Sequence, residues 1–177
     1  MLRLVTAAGA IVAMSALAAP AMAVVPGKVL NSASVDGFTV NVLRFPTVAH
    51  LARPTSTTGT VTSGTNADGT NPYGGSPLAG SAFLSMNGGS VTYVFKHPAA
   101  WIAFIWGTPD SYNYVSLYDT TGALIGTLNG GDIASAFGFQ TGQYMQILST
   151  TPIGSVVASS DQCCFEVGNQ VQSSVAQ

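Results

Sequence analysis

The sequence predicts an all-β protein with a single antiparallel β-sandwich that is jelly-roll-like. Short segments in which apolar and polar residues alternate recur along the chain at spacings of about ten residues. Gly, Asn and Pro separate these segments, and no strong helical periodicity follows the amino terminus. Only 7% of the 177 residues are charged and 47% are hydrophobic, which excludes a chain that is disordered throughout.

The first predicted strand lies in "FTVNVLRF", where Phe38, Val40 and Val42 alternate with Thr39 and Asn41. An alternation with a period of two places the apolar side chains on one face of a strand and the polar ones on the other. This segment therefore predicts a half-buried strand.

Two further strands are predicted in "SVTYVFKH", which begins at Ser90, and in "WIAFIW", which spans Trp101 to Trp106. The first alternates, whereas the second is apolar at every position. Because a strand with one solvent-facing side carries polar residues at alternate positions, "WIAFIW" predicts a central strand that is covered on both faces.

A hairpin is predicted next. In "NYVSLYD", Val115 and Leu117 share one face, and Tyr114, Ser116 and Tyr118 share the other. "DTTG" supplies the turn and "ALIGTL" the returning strand. "NGGD" turns the chain again, and "IASAFGFQ" is left open as a strand or a loop. The last predicted strands are "YMQILS", "SVVAS" and "CFEV".

The segment from residue 53 to residue 80 interrupts this pattern because Thr, Ser, Gly and Asn dominate it. Such a composition offers little side-chain area to offset the entropy lost when the chain is ordered. We therefore expect a long mobile loop at about 53–80, with a weak β-ribbon in "TGTVTSG". A ligand-binding loop is the alternative, since long loops on sandwiches often carry function.

The amino terminus predicts a secretory signal peptide over residues 1–23. One Arg precedes the apolar run "LVTAAGAIVAMSALAA", and small residues stand at Ala21 and Ala23. This layout predicts cleavage between Ala23 and Val24, which leaves a β-sandwich domain over 24–177. A membrane anchor is the alternative, but the run is short and rich in Ala. We expect an exported protein whose mature chain has no membrane span.

The stretch "VTYVFKHPAAWIAFIWGTPDSYNYVSLYDTTGALIGTLNGGDI" resembles the exosortase-dependent (PEP-CTERM) surface proteins of Gram-negative bacteria. The pattern Trp-Gly-x-x-Asp-x-Tyr-Asn carries the resemblance, through Trp106, Gly107, Asp110, Tyr112 and Asn113. The late stretch "CCFEVGNQV" is similar to the closing strand of that family. The resemblance implies a secreted β-sandwich of unestablished activity, in bacteria that make extracellular polysaccharide.

The sequence departs from that family at three places, the third of which is the adjacent pair Cys163 and Cys164. It ends in "NQVQSSVAQ", without the Pro-Glu-Pro motif, apolar span and basic residues of the family's C-terminal sorting signal. We expect a chain with this ending to be released or held by non-covalent contacts. Gly168 stands where the family more often has Asp, which puts a cation site at that position in doubt.

The adjacent cysteines, Cys163 and Cys164, have Cα atoms about 3.8 Å apart, below the usual disulfide range of roughly 4.4–6.8 Å. Neighbouring side chains of a strand also point to opposite faces. We therefore expect redox-active free thiols, one of them buried, or an intermolecular disulfide, in preference to a bridge within the chain.

No catalytic pattern is present, so we expect a protein that is not an enzyme. G-x-S-x-G, H-E-x-x-H and the glycine patterns of nucleotide sites are absent. A glycoside hydrolase-like enzyme is the distant alternative, because it needs only two carboxylates facing one cleft. The candidates are Asp110, Asp119, Asp132 and Glu166, although Asp119 and Asp132 are better explained as turn-capping residues.

The stretch "FIWGTPDSYN" is the candidate site. One interpretation is a polar turn between two strands. The other is a ligand-binding corner, in which Trp106 and Tyr112 stack on sugar rings while Asp110 and Asn113 bind hydroxyls. No cofactor is predicted; Ca²⁺ is a weak candidate, because "NADGTN" lacks the leading Asp and terminal Glu of a calcium loop.

Composition limits the partners as well. The formal net charge is −2 and no basic residues cluster, so we expect no nucleic-acid partner. The expected function is a secreted, non-catalytic surface or extracellular matrix protein that binds extracellular polysaccharide or other surface proteins. The alternative is a purely structural or self-associating envelope protein, because exposed strand edges favour association.

Overall fold

The computed structural model describes residues 27–48, 51–63, 71–74, 76, 78–138 and 140–172. The predicted signal peptide and its cleavage site between Ala23 and Val24 lie outside these residues. In the part of the chain that is described, no helix combines the length and the apolar character needed to cross a membrane.

The described residues form eight strands and one short helix. In chain order these are β1 Val29–Val35, β2 Phe38–Leu43, β3 Ser56–Thr57, β4 Thr60–Ser63, β5 Ala82–Trp106, β6 Asn113–Asp119, β7 Leu124–Asn129, α1 Gly130–Phe137 and β8 Gln143–Gln172. Every strand pairing is antiparallel, and the pairings join all eight strands into one sheet. The predicted all-β antiparallel fold is confirmed.

This one sheet forms two layers because β5 and β8 pair with each other more than once along their length. In the first layer, residues 143–148 of β8 lie between β2 and residues 101–106 of β5. In the second layer, residues 155–160 of β8 lie between β6 and residues 89–94 of β5. The register of β5 is irregular at Gly88 and Gly89, whose φ angles of 74° and 97° suit glycine.

The main core lies between the two layers and follows the alternation of the strands. From the first layer it receives Val40, and from the second Val115 and Leu117, each 0% exposed. The predicted half-buried strands in "FTVNVLRF" and "NYVSLYD" are therefore confirmed as β2 and β6.

The double coverage predicted for "WIAFIW" is also confirmed. Its even-numbered residues, at 102, 104 and 106, belong to the main core. Its odd-numbered residues, at 101, 103 and 105, belong to a second apolar cluster on the outer side of the first layer. All six are nearly inaccessible to solvent, with exposed fractions of 5% or less.

The segment 53–80 supplies the cover of that outer side. Tyr73 and Leu78, which are 0% and 6% exposed, belong to the second cluster, and the Tyr73 hydroxyl donates to the carbonyl of Ala82 at 3.1 Å. Upstream, β3 and β4 both pair with β5. The expectation that this segment has little to bury is wrong for its described end, because two large side chains suffice to anchor it; its mobility stays a prediction.

The structure has a helix, α1, over much of "IASAFGFQ", for which the sequence predicted either a strand or a loop. The side chain of Asn129 accepts from the amide of Gly131 at 2.8 Å and caps α1, and Asp132 lies in its first turn. Ile133 is 0% exposed and joins the main core. The Asn cap followed by an acidic residue was the signal that could have indicated this helix.

We expect Leu78→Ala to lower the free energy of unfolding by about 2–5 kcal/mol, because it removes a buried side chain from the second cluster. Urea denaturation measures the change. The control is Val61→Thr at a position that is 57% exposed, where we expect a change within about 0.5 kcal/mol. Equal small effects of both variants would mean that the segment does not cover the sheet.

Candidate functional site

The candidate corner connects β5 to β6 and is fastened to β8. The amide of Gly107 donates to the carbonyl of Glu166 at 2.8 Å, and the amide of Gly142 donates to the carbonyl of Gly107 at 2.6 Å. A Cβ atom at position 107 would lie only 2.5 Å from a carboxylate oxygen of Glu166. The close approach of corner and strand therefore requires glycine here.

Trp106 belongs to the core and not to a binding surface. Its side chain is 0% exposed, and its indole Nε1–H donates to the carbonyl of Thr108 at 3.1 Å. Its ring lies 5.7 Å from that of Phe104 and 5.0 Å from that of Phe165, measured between centroids. Since no ligand can stack on a ring without accessible surface, the structure contradicts the predicted ligand contact of Trp106.

Asn113 is a structural hub of the corner. It is 0% exposed; its amide group donates to the carbonyl of Thr108 at 2.8 Å and to that of Cys164 at 3.4 Å. Its carbonyl oxygen accepts from the hydroxyl of Ser160 at 2.7 Å. These bonds use the side chain to join the corner to β8, so the predicted hydroxyl-binding role of Asn113 is also contradicted.

Asp110 and Tyr112 are the two predicted residues that remain accessible, both partly exposed. Partial burial, a side-chain hydrogen bond with Asp110 and the negative charges of Asp110 and Glu166 raise the pKa of Tyr112 above its usual value. At neutral pH the phenol of Tyr112 is therefore protonated. Ligand binding by this pair stays a prediction.

Glu166 lies behind the corner. It is 1% exposed, and the hydroxyl of Thr108 lies 3.4 Å from its carboxylate. Sequence reasoning did not single out Thr108 and Ser160 as supports, because their role depends on the pairing of β6 with β8.

The other carboxylates considered for hydrolysis serve local structure. Asp119 accepts hydrogen bonds from the hydroxyl and amide of Thr121 and from the amide of Ala123, and these bonds lower its pKa. Asp132 lies in the first turn of α1. The interpretation of Asp119 as a turn-capping residue is confirmed.

The cysteines differ from the expectation. Cys163 and Cys164 are joined to each other as a vicinal disulfide, which contradicts the predicted free thiols and the intermolecular bridge. The alternation argument fails here because the register shifts: Met86 pairs with Phe165 and the next residue of β5 pairs with Cys163. Cys164 is thus the extra residue of a β-bulge, where neighbouring side chains need not point apart.

Two sequence features were considered for a cation site, in "NADGTN" and at Gly168. Their described residues are engaged in contacts within the protein. In "NADGTN" only Asn71 is described, and its side-chain oxygen accepts from the amide of Tyr73 at 2.9 Å. Opposite Gly168, the Tyr73 hydroxyl would lie 2.5 Å from an added Cβ, so the ring fills the place of a larger residue. Among the described side chains, no three His, Cys, Asp or Glu come together as a metal-binding group.

No known protein family, curated protein or solved structure was found that matches this chain.

We expect Asn113→Ala to lower the free energy of unfolding by about 1–3 kcal/mol, because it removes the buried side-chain hydrogen bonds of Asn113 with the carbonyl of Thr108 and the hydroxyl of Ser160. Chemical denaturation measures the loss. Ser111→Ala, at an exposed position of the same turn, is the matched control and is expected to change stability by no more than about 0.5 kcal/mol. If Asn113→Ala left the free energy of unfolding unchanged, Asn113 would not be a structural hub of the corner.

We expect Asp110→Asn to lower the pKa of Tyr112 toward its usual value, since the substitution removes a negative charge that disfavours the tyrosinate. The pKa should stay above the usual value, because partial burial and Glu166 remain. NMR titration of the Tyr112 ring measures the shift, with Asp132→Asn as the distant control. An unchanged pKa would show that Asp110 and Tyr112 are not in contact.

Proposed function

We propose that this protein is a secreted, non-catalytic surface or extracellular matrix protein that binds extracellular polysaccharide. One observation supports the proposal most: Asp110 and Tyr112 form an accessible acid–phenol pair on a turn that the buried, hydrogen-bonded side chain of Asn113 joins to β8. The predicted signal peptide and the resemblance to the exosortase-dependent surface proteins are further parts of the proposal, and a Gram-negative source follows from the same resemblance.

The chemistry of the pair fits a carbohydrate. A tyrosine ring offers an apolar face to the C–H groups of a sugar, and its hydroxyl can exchange hydrogen bonds with sugar hydroxyls. The Asp110 carboxylate offers two acceptor oxygens. Ligands of this kind need no catalytic residue, metal or covalent step.

The rigidity of the corner favours binding. Asn113 and Gly107 join the turn to β8 from both sides, through the bonds described above. A site that is already ordered loses less side-chain and loop entropy when its ligand binds. A buried scaffold beneath two accessible polar groups is therefore the arrangement that a weak polar ligand requires.

A second candidate is a structural protein that associates with itself. It is favoured by β1, an edge strand of seven residues that carries no charged side chain and exposes Val29 and Leu30 by 47% and 60%. Charged side chains are a common protection of such edges, and β1 lacks them.

We expect the mature protein, Val24 to Gln177, to be retained on at least one polymer in a panel of insoluble and gel-cast polysaccharides, tested with and without Ca²⁺. Asp110→Ala and Tyr112→Ala should each weaken retention by about tenfold, which corresponds to one polar or stacking contact of roughly 1.4 kcal/mol. Ser111→Ala, which lies between them, is the control and should be retained like the wild type.

Failure of the folded wild type to bind any polymer would contradict the proposal. If that failure is accompanied by concentration-dependent association, which Leu30→Lys abolishes, the structural candidate takes its place.

A further inference from the structure

The accessible tyrosines of this protein lie together. Of the six tyrosines, Tyr73, Tyr93 and Tyr144 are buried, with exposed fractions of 8% or less. The other three, Tyr112, Tyr114 and Tyr118, are partly exposed and follow one another along β6 and the residue before it. Both tryptophans are buried, so any aromatic surface for a ligand must consist of other rings.

These three tyrosines share one side of the strand. Val115 and Leu117 are 0% exposed and face the core, so the even-numbered positions of β6 face outward. Tyr112 continues this register, because its carbonyl accepts from the amide of Asp161 at 3.0 Å, one step beyond the pairing of Asn113 with Ser160. The row from Tyr112 to Tyr118 is therefore about 20 Å long, at about 3.3 Å per residue.

The neighbours of this tyrosine row carry hydroxyl groups. Tyr114 lies opposite Ser159 and Tyr118 opposite Ser155 on β8. Between them, the hydroxyl of Ser116 lies 2.8 Å from that of Thr127 on β7. No outward position of β6, of β7 or of residues 155–159 of β8 carries a charge.

The charged residues next to the tyrosine row on β6, on β8 and in the turn before β6 lie at its ends and are negative. Asp110 and Asp161 lie beside Tyr112, and Asp119 follows Tyr118. A polymer that carries carboxylate or sulfate groups would meet like charges at both ends. A neutral polymer has no charge to desolvate on the uncharged middle of the face.

The two outer faces of the sandwich differ in cover. Tyr73 and Leu78 cover the outer side of the first layer, whereas the outward side chains around the tyrosine row all keep partial exposure. The row therefore lies on the open side of a strand that is hydrogen-bonded along both edges, to β7 and to β8. Such a strand holds its side chains at fixed spacing.

We propose that the tyrosine row is a binding track for one chain of a neutral polysaccharide, with sugar rings stacked on Tyr112, Tyr114 and Tyr118 and sugar hydroxyls bonded to the flanking Ser and Thr side chains. This inference rests on the proposed polysaccharide binding and deepens it: it names a neutral polymer as the ligand and extends the site from the corner along β6. Because contacts are spread over the whole row, long chains bind more tightly than short oligosaccharides.

The test is affinity electrophoresis of the mature protein in gels that contain neutral polymers (β-1,3-glucan, hydroxyethyl cellulose, galactomannan) or an acidic one (alginate). We expect Tyr114→Ser and Tyr118→Ser each to weaken binding by about 2- to 10-fold, the range of one aromatic contact, and the double variant by more than about tenfold. Leu30→Ser, at a 60% exposed position of the first layer, is the control. Urea midpoints verify that each variant is folded.

A second pair of variants separates stacking from folding. Tyr114→Phe and Tyr118→Phe keep the rings, so we expect them to bind within about twofold of the wild type, since the ring carries most of the contact. Loss of binding in both Phe and Ser variants, with unchanged midpoints, would overturn stacking as the basis of the track.

The outcomes distinguish the two proposals. A wild type that binds no polymer overturns the proposed function and the track together. A wild type that binds, with normal binding in the Tyr114 and Tyr118 variants but loss in the Asp110 and Tyr112 variants, overturns the track and keeps the corner. Preference for alginate overturns the neutral ligand. If the Tyr114 and Tyr118 variants change the sedimentation coefficient but not polymer binding, a second copy of the chain occupies the face.

Discussion

The repeated pairing of β5 with β8 is the constraint on which the rest of the structure depends. These two strands are the longest in the protein, with 25 and 30 residues, and each contributes to both layers. β2 and β6 each pair directly with β8, and β3 and β4 each pair with β5. The other strands are therefore positioned by this pair, and the main core forms where its two halves face each other.

The candidate corner is a direct consequence of that pairing. β5 ends at Trp106 in the first layer, and β6 begins at Asn113 in the second, so the six residues between them must turn the chain from one layer to the other. Asn113 stabilises this passage by bonding the turn and β8 at the same time. Polar side chains in such a passage first form hydrogen bonds that hold the turn in place. Only the remaining polar side chains can contact a ligand.

Alternation along the sequence predicted much of this fold. It placed β2 and β6 correctly and indicated that "WIAFIW" is covered on both faces. It could not show that β5 and β8 are continuous, because Pro98 and Pro152 read as breaks. Both lie inside strands, close to irregular register at Ala99 and Ile153, where a missing amide donor is tolerated.

Exposure was the property that sequence could not supply for the site. Trp106 and Asn113 have the right chemistry for a sugar, yet both are 0% exposed, because the turn itself uses their bonds and surfaces. Tyr73 and Leu78 were missed for the opposite reason: isolated among small polar residues, they give no periodic signal. Local pattern predicts which face a strand residue occupies, whereas the cover over that face depends on distant segments.

The tyrosines of β6 follow from the same alternation that builds the core. With Val115 and Leu117 directed inward, Tyr114 and Tyr118 face outward. Small hydroxyl residues fill the equivalent outward places on β8, at Ser155 and Ser159. These partly exposed rings, on a strand that is paired along both edges, are the observation from which we propose contact with a ligand. Under the proposal of a binding track, β6 contributes its odd-numbered residues to the main core and its even-numbered residues to the surface for recognition.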